Sequence, residues 1–204
     1  MRERHTPASR LLVLLAPAIA AAGAFSCASS PKTHLAETIP TSHGTGEAAI
    51  RTSAEARLAF KEVKGPYTEI GPAVEEMWAY ALSVGIERPV IRVIYYDDPE
   101  TVDPRVARSD VGFEVPVAVA PRLDSSPYRT RVVPSMRIAT LTVKGPPTTT
   151  WECYGTLERW ASSRGAEVDR GAPVHETYVG SPGTPLAEFE VEIAMPLAGE
   201  RPRS

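Results

Sequence analysis

Glu176 and Tyr178 stand two residues apart in Val174-His175-Glu176-Thr177-Tyr178-Val179, a run that reads as a β-strand. Side chains two apart on a strand leave the same face, so a carboxylate and a phenol project together. Inside a protein an unpaired carboxylate is costly, and such a group is usually kept for a function. On a less covered strand the same glutamate would simply meet water or an arginine, and both readings stand at this point. His175 points to the opposite side of that strand, which makes it a poor acid–base partner for Glu176. The other three histidines, His5, His34 and His43, fall in segments read below as targeting sequence and tether, so the spacing predicts no metal site. Asp97-Asp98-Pro99 reads as the turn that stops a strand rather than as a cation ligand set. Cys153, in the middle of a helix, is expected to be a small buried hydrophobe and not a reactive thiol. Neither a glycine-rich phosphate loop nor a serine elbow is present, and no cofactor is implied.

The elements that position Glu176 occur twice. Residues 59–85 superpose on 139–165 with a shift of 80, which lays Val63-Lys64-Gly65-Pro66 on Val143-Lys144-Gly145-Pro146. The same shift lays Ala59 on Ala139, Ala81 on Ala161 and Gly85 on Gly165. After three more residues of loop, 92–99 falls on 175–182 and pairs Tyr95 with Tyr178. Each copy reads as strand, helix, strand, strand, over about 57–117 and 136–196. In the first copy, Leu58 and Phe60 alternate with Lys61, and Ile70, Val74, Met77, Trp78 and Ala81 recur at helical spacing. Val90–Tyr96 is a nearly continuous apolar strand, and Val111–Val117 alternates, with Pro116 suggesting an edge. In the second copy, Thr149 and Glu152 form a capping box opening a helix whose stripe is Thr150, Tyr154, Leu157 and Ala161, with Trp151 and Trp160 beside it. The last strand alternates Phe189, Val191, Ile193 and Met195 with glutamates that read as a solvated edge. Residues 118–133 read as a connector. The duplication places Glu176 where the first copy has Val93, in a core-facing strand.

The N-terminus reads as an export signal. Arg2, Arg4 and Arg10 precede an uncharged run from Leu11 to Phe25, too short for a comfortable membrane span, which ends in small residues and Cys27. The pattern resembles a bacterial lipoprotein signal, with Cys27 as the lipidated residue of an anchored protein facing the periplasm or the cell exterior. Ala24-Phe25-Ser26 departs from the usual leucine three places before that cysteine, which leaves ordinary signal cleavage open. Residues 28–53 are small and polar without apolar periodicity and read as a flexible tether; the domain spans 54–199, and 200–204 is a tail. With 22 basic against 25 acidic residues and no basic stripe, nothing favours nucleic acid.

The repeat, the Val-Lys-Gly-Pro turn before an apolar helix, Tyr95-Tyr96-Asp97-Asp98-Pro99, and His175–Gly180 followed by an alternating strand ending Met195-Pro196-Leu197 resemble the GyrI-like domain. That domain also forms the effector-binding half of AraC-type and MerR-type activators. The resemblance covers about Leu58 to Leu197. It implies an α+β fold: two strand-helix-strand-strand units (SHS2) related by a pseudo-two-fold, joined as an antiparallel sheet with both helices on one face. It also implies a cleft between the halves in which a glutamate matching Glu176 attracts cationic, lipophilic compounds. Tyr178, Tyr95, Trp151 and Tyr154 match aromatic or apolar positions of that cleft. Pro147 departs from the family's usual tyrosine after Gly-Pro. A carboxylate under aromatic walls attracts cations by Coulomb and cation–π forces without demanding one ligand shape. The expected function is therefore binding of an amphiphilic cation, a role more consistent with a binder than an enzyme. Hydrolysis of electrophilic compounds by Glu176, or a protein-interaction role with the cleft filled by side chains, are the alternatives.

Overall fold

The computed structural model describes residues 34–199 except 99, 124, 125, 146, 181–183, 186 and 187. Cys27 and the segment read as an export signal lie outside the described residues. The chain forms β1 (His34–Thr41), β2 (Gly44–Thr52), β3 (Ala56–Lys64), α1 (Gly71–Ser83), β4 (Ile91–Tyr95) and β5 (Arg108–Glu114). It continues with β6 (Arg129–Val133), β7 (Arg137–Lys144), α2 (Tyr154–Ser163), β8 (Val174–Val179) and β9 (Glu190–Pro196). All nine strands belong to one antiparallel sheet in the order β1-β2-β7-β9-β8-β4-β5-β3-β6. Both helices cover the same face. Met77, Trp78 and Ala81 of α1 and Leu157, Trp160 and Ala161 of α2 share one core with Val93, Val111, Phe113, Leu141, Val191 and Ile193 of the sheet. Burying each large side chain of that set contributes about 1.5–3 kcal/mol.

The two copies meet at β4 and β8, where Ile91 pairs with Tyr178, Val93 with Glu176 and Tyr95 with Val174. Val93 and Glu176 are equivalent in the repeat and also direct cross-strand neighbours, so the pseudo-two-fold passes between them. The turns before the helices repeat as well: Gly65 and Gly145 have φ of 135° and 140°. That region of backbone space is open to glycine and strained for other residues.

Several sequence expectations are corrected. Residues 34–52 of the expected tether are two paired strands. The apolar signal was weak because β2 turns Ala48 and Ile50 into the core while Gly46 closes against β7; a Cβ on Gly46 would sit 2.8 Å from the Thr142 carbonyl oxygen. β5 and β9 are interior strands, not edges, since each has a partner on both sides. The connector contains β6, which pairs with β3. The second helix does not start at a Thr149 capping box. A 3-10 turn, Pro147–Cys153, comes first, and α2 begins at Tyr154 without a side-chain cap. The β-branched run Thr148-Thr149-Thr150 explains this, because such residues disfavour the α-helix.

Two short links bend the sheet. Thr52 to Ala56 joins the second strand in the order to the eighth, and Val133 to Arg137 joins the ninth to the third. Six strand spacings on a flat sheet are roughly 29 Å, whereas four residues reach about 14 Å at most. The sheet must therefore curl. The links meet each other through Ser53 N–H to Met136 O (2.8 Å) and Ser135 Oγ to Ser53 O (2.7 Å). They close over the helix-free face, where Ser53, Ala54 and Glu55 line a groove of about 200 Å³ with Arg92, His175 and Thr177.

Candidate ligand-binding site

Glu176 sits at the middle of the helix-covered face and is 2% exposed. Both carboxylate oxygens are occupied. Oε1 accepts from Thr150 Oγ1 at 3.0 Å and from the Tyr154 hydroxyl at 2.6 Å. Oε2 accepts from the Tyr95 hydroxyl at 3.0 Å and the Tyr178 hydroxyl at 2.6 Å. Four donors fill the acceptor sites a carboxylate offers. The Tyr95 and Tyr178 oxygens are also 3.2 Å apart. Two phenol hydrogens face three contacts, so only two of the three are hydrogen-bonded at any moment.

The origin of each group follows from the repeat. Tyr95 and Tyr178 are equivalent residues on either side of the pseudo-two-fold, so both reach the same oxygen. Thr150 and Tyr154 come from the second copy's 3-10 turn and the first residue of α2. Their first-copy equivalents are Ile70 and Val74, which pack in the core. The first copy instead adds Tyr67, whose ring lies 4.7 Å from that of Tyr95 and whose hydroxyl donates to the Asp97 carbonyl at 2.8 Å. On the other flank Phe189 meets Tyr178 at 6.4 Å and Trp78 edge-on at 5.8 Å. Aromatic rings therefore wall the carboxylate on both sides.

Burial first, and then the charge of Glu176, push the Tyr95, Tyr154 and Tyr178 phenols well above their ordinary range. They remain protonated donors over any working pH. Among the described residues no lysine, arginine or histidine forms an ion pair with Glu176. Among the described residues its side-chain partners are the four hydroxyl dipoles.

Of the five residues expected to line a site, Glu176, Tyr178, Tyr95 and Tyr154 come together. Trp151 does not: it is 66% exposed and is not among the groups that touch Glu176. Thr150 and Tyr67 were missed as site residues. The signal for Thr150 was its place four residues before Tyr154, one turn away on the same face. The carboxylate does not open onto a cleft in this conformation, because the four hydroxyl side chains fill that place. Tyr95 and Tyr154 are only partly buried, so their rings form the outer wall. The groove beneath the crossing links and a wider hollow of about 490 Å³ bordered by Val115, Val117 and Val132 both lie away from Glu176. His175 lines the former, is 7% exposed, and has its pKa lowered to about 4 by burial first and by the charges of Arg92 and Arg131. Cys153 is buried, with its thiol pushed up by burial and its Sγ 3.7 Å from Ser42 Oγ. Among the described residues no cluster of three or more His, Cys, Asp or Glu could hold a metal ion.

Residues 47–198 match the GyrI-like small molecule binding domain, and the chain belongs to that family. Among solved structures it is similar to EcmrR in its DNA complex, at 16% identity and a TM-score of 0.55 over 74% of this chain and 57% of that one. It thus spans somewhat more than half of that protein's length. It is also similar to the EcmrR C-terminal domain alone, at 16% identity and a TM-score of 0.54 over 75% of this chain and 98% of that one. A hydrolase from Listeria innocua matches at 14% identity and a TM-score of 0.54, over 74% and 91% of the respective chains. Comparison with curated protein sequences returned no match. At these identities the structural likenesses speak for the fold.

Proposed function

We propose that this protein binds amphiphilic organic cations at Glu176, as a non-catalytic module carried outside the cytoplasm. The observation that carries the reading is a buried carboxylate with four hydroxyl donors and no counter-cation among the described residues. Held by those dipoles, that charge leaves a strong local attraction for a cation, since two unit charges 4 Å apart interact by about 4 kcal/mol at an effective dielectric constant of 20. The rings of Tyr67, Tyr95 and Tyr178 offer faces on which a lipophilic cation can rest. Entry requires the partly buried rings of Tyr95 and Tyr154 to swing outward, with the Tyr95–Tyr178 contact able to take the hydrogen bond that Tyr95 gives up at Glu176. Export follows from the Arg2–Phe25 pattern and anchoring from Cys27, so the ligand would be met on the far side of the membrane.

Titration with tetraphenylphosphonium tests the reading. Wild-type protein should bind it, and Glu176→Gln, which keeps the shape and the acceptor carbonyl, should bind about 10- to 100-fold more weakly, the worth of one charged interaction. Equal affinity of the two proteins overturns it. A second reading rests on the Tyr95–Tyr178–Glu176 contacts, which could pass a proton while Glu176 directs water at an electrophilic small molecule. Turnover of such a compound by the purified protein, abolished in Glu176→Gln, would replace binding by hydrolysis.

A further inference from the structure

The 3-10 turn Pro147–Cys153 is long for its type, and a hairpin tip outside the family-matched segment contacts it. Seven residues of 3-10 geometry exceed the three or four at which such turns usually stop, because the hydrogen bonds are poorly aligned. In the first copy the corresponding turn is three residues, Tyr67–Glu69, and passes at once into α1. The longer turn delivers Thr150 and then Tyr154, two of the four donors to Glu176.

The β1–β2 hairpin reaches across to it. Its tip, Thr41–Gly44, precedes the family match that begins at residue 47. The His43 ring contacts the Thr149 carbonyl oxygen through Nε2 at 3.0 Å, and since a carbonyl only accepts, Nε2–H donates. The Thr41 hydroxyl accepts from the His43 backbone N–H at 3.1 Å and fixes the backbone that carries the ring. The Ser42 hydroxyl lies against the Cys153 thiol, at the other end of the same turn. The ring also lies over Gly145, where a Cβ would come within 2.8 Å of Nδ1; nothing lies within 4 Å of the corresponding point on Gly65. The second copy's turn is therefore held by a hairpin outside the repeat, whereas the first copy's is tied within its own half, through Tyr67 to the Asp97 and Arg108 carbonyls.

We infer that His43 is a positioning residue for the Glu176 site: the hairpin tip holds the Pro147–Cys153 turn closed and so sets how readily Thr150 and Tyr154 release the carboxylate to a ligand. The ligand part of this inference rests on the cation-binding reading above; the bracing of the turn does not.

Hydrogen–deuterium exchange separates the two. In His43→Ala, backbone amides of residues 148–154 should exchange about fivefold faster, the factor that one ordinary hydrogen bond represents. Amides of β4, β8 and β9 should hold their wild-type rates. His43→Gln, which keeps a donor at a similar reach, should return residues 148–154 close to the wild-type rate. Unchanged exchange at 148–154, acceleration spread over the whole sheet, or a glutamine variant as fast as the alanine variant overturns the brace. Association of tetraphenylphosphonium, followed by stopped-flow, should speed up by a similar factor in His43→Ala. Accelerated exchange with unchanged association leaves a brace that does not gate the site, and so overturns the gating. Failure of the wild-type protein to bind the probe sinks the cation reading and the gating with it, while the exchange comparison still decides the brace.

Discussion

The two halves of the molecule share a backbone plan and differ in what they place at the shared boundary. The first half brings Ile70, Val74 and Val93 to the centre; the second brings Thr150, Tyr154 and Glu176 to the equivalent points. One half offers an apolar wall, and the other a carboxylate with its own donors. A single changed residue could not have done this. Glu176 in an otherwise apolar second half would be an unsolvated charge, which at buried positions is several kcal/mol unfavourable. The difference teaches that the carboxylate and its hydroxyls form one unit, assembled on one side of the boundary and shared across it only through Tyr95.

The strongest way to break the comparison is to make the halves alike. Val93→Glu puts a second carboxylate directly opposite Glu176, where like charges and burial act together. It should lower stability by about 4 kcal/mol at pH 8, measured by urea unfolding. Part of that loss should return as pH falls and one of the two carboxyls takes up a proton. A variant as stable as wild type at pH 8 would mean that the boundary is wet and that the two halves are not distinguished by burial.

The other face of the same two strands gives the second test. Arg92 and His175 are equivalent residues, one charged and one held neutral. The unfolded histidine takes a proton near pH 6.5, the folded one only near pH 4. The unfolded chain therefore binds more protons in that window, and stability, complete above pH 6.5, declines as pH falls toward 4. The decline attributable to His175 should be about 2–3 kcal/mol, read as the difference in urea midpoint slope between wild type and His175→Leu. Parallel pH profiles would remove His175 from the account.

The smallest effect sharpens the donor side. Tyr154→Phe deletes the hydroxyl that bonds Oε1 and should destabilise the fold by about 1.5–2 kcal/mol, the worth of a hydrogen bond to a charged group. The first-half counterpart Val74 carries no such bond, so Val74→Thr, close in volume, should leave the tetraphenylphosphonium affinity unmoved. An affinity change as large as that of Tyr154→Phe would show that the halves contribute alike.

Much of this geometry was legible in the chain itself. The twin Val-Lys-Gly-Pro turns and the Tyr95–Tyr178 alignment located Glu176 against Val93 and predicted that it shares a face with Tyr178. Thr150 falls on the inward stripe as its spacing from Tyr154 implies, whereas Trp151 was misplaced for a reason of period. Counting 3.6 residues per turn from Thr149 leaves Trp151 beside the buried stripe, but in a 3-10 turn residues three apart lie on one side. Thr150 and Cys153 therefore face inward and Trp151 outward. The strands β1, β2 and β6 were illegible for different reasons. β2 buries small residues, which give little hydrophobic contrast. β6 is an edge strand that shows Arg129, Thr130 and Val132 to solvent, as edges that resist aggregation do. That β2, ahead of the first copy, pairs with β7 of the second, and β6, ahead of the second copy, pairs with β3 of the first, is a property of tertiary pairing and has no local signature.

A last consequence follows from the location of Glu176 beside its own counterpart on the pseudo-two-fold. In an assembly of two identical chains, whatever lies next to the symmetry axis arrives in duplicate, so a lone negative group there is unattainable. Covalent fusion removes that restriction. By carrying both units on one polypeptide, the protein can set one anion at its midline and leave hydrocarbon facing it, a polarity that no homodimer of either unit could reproduce.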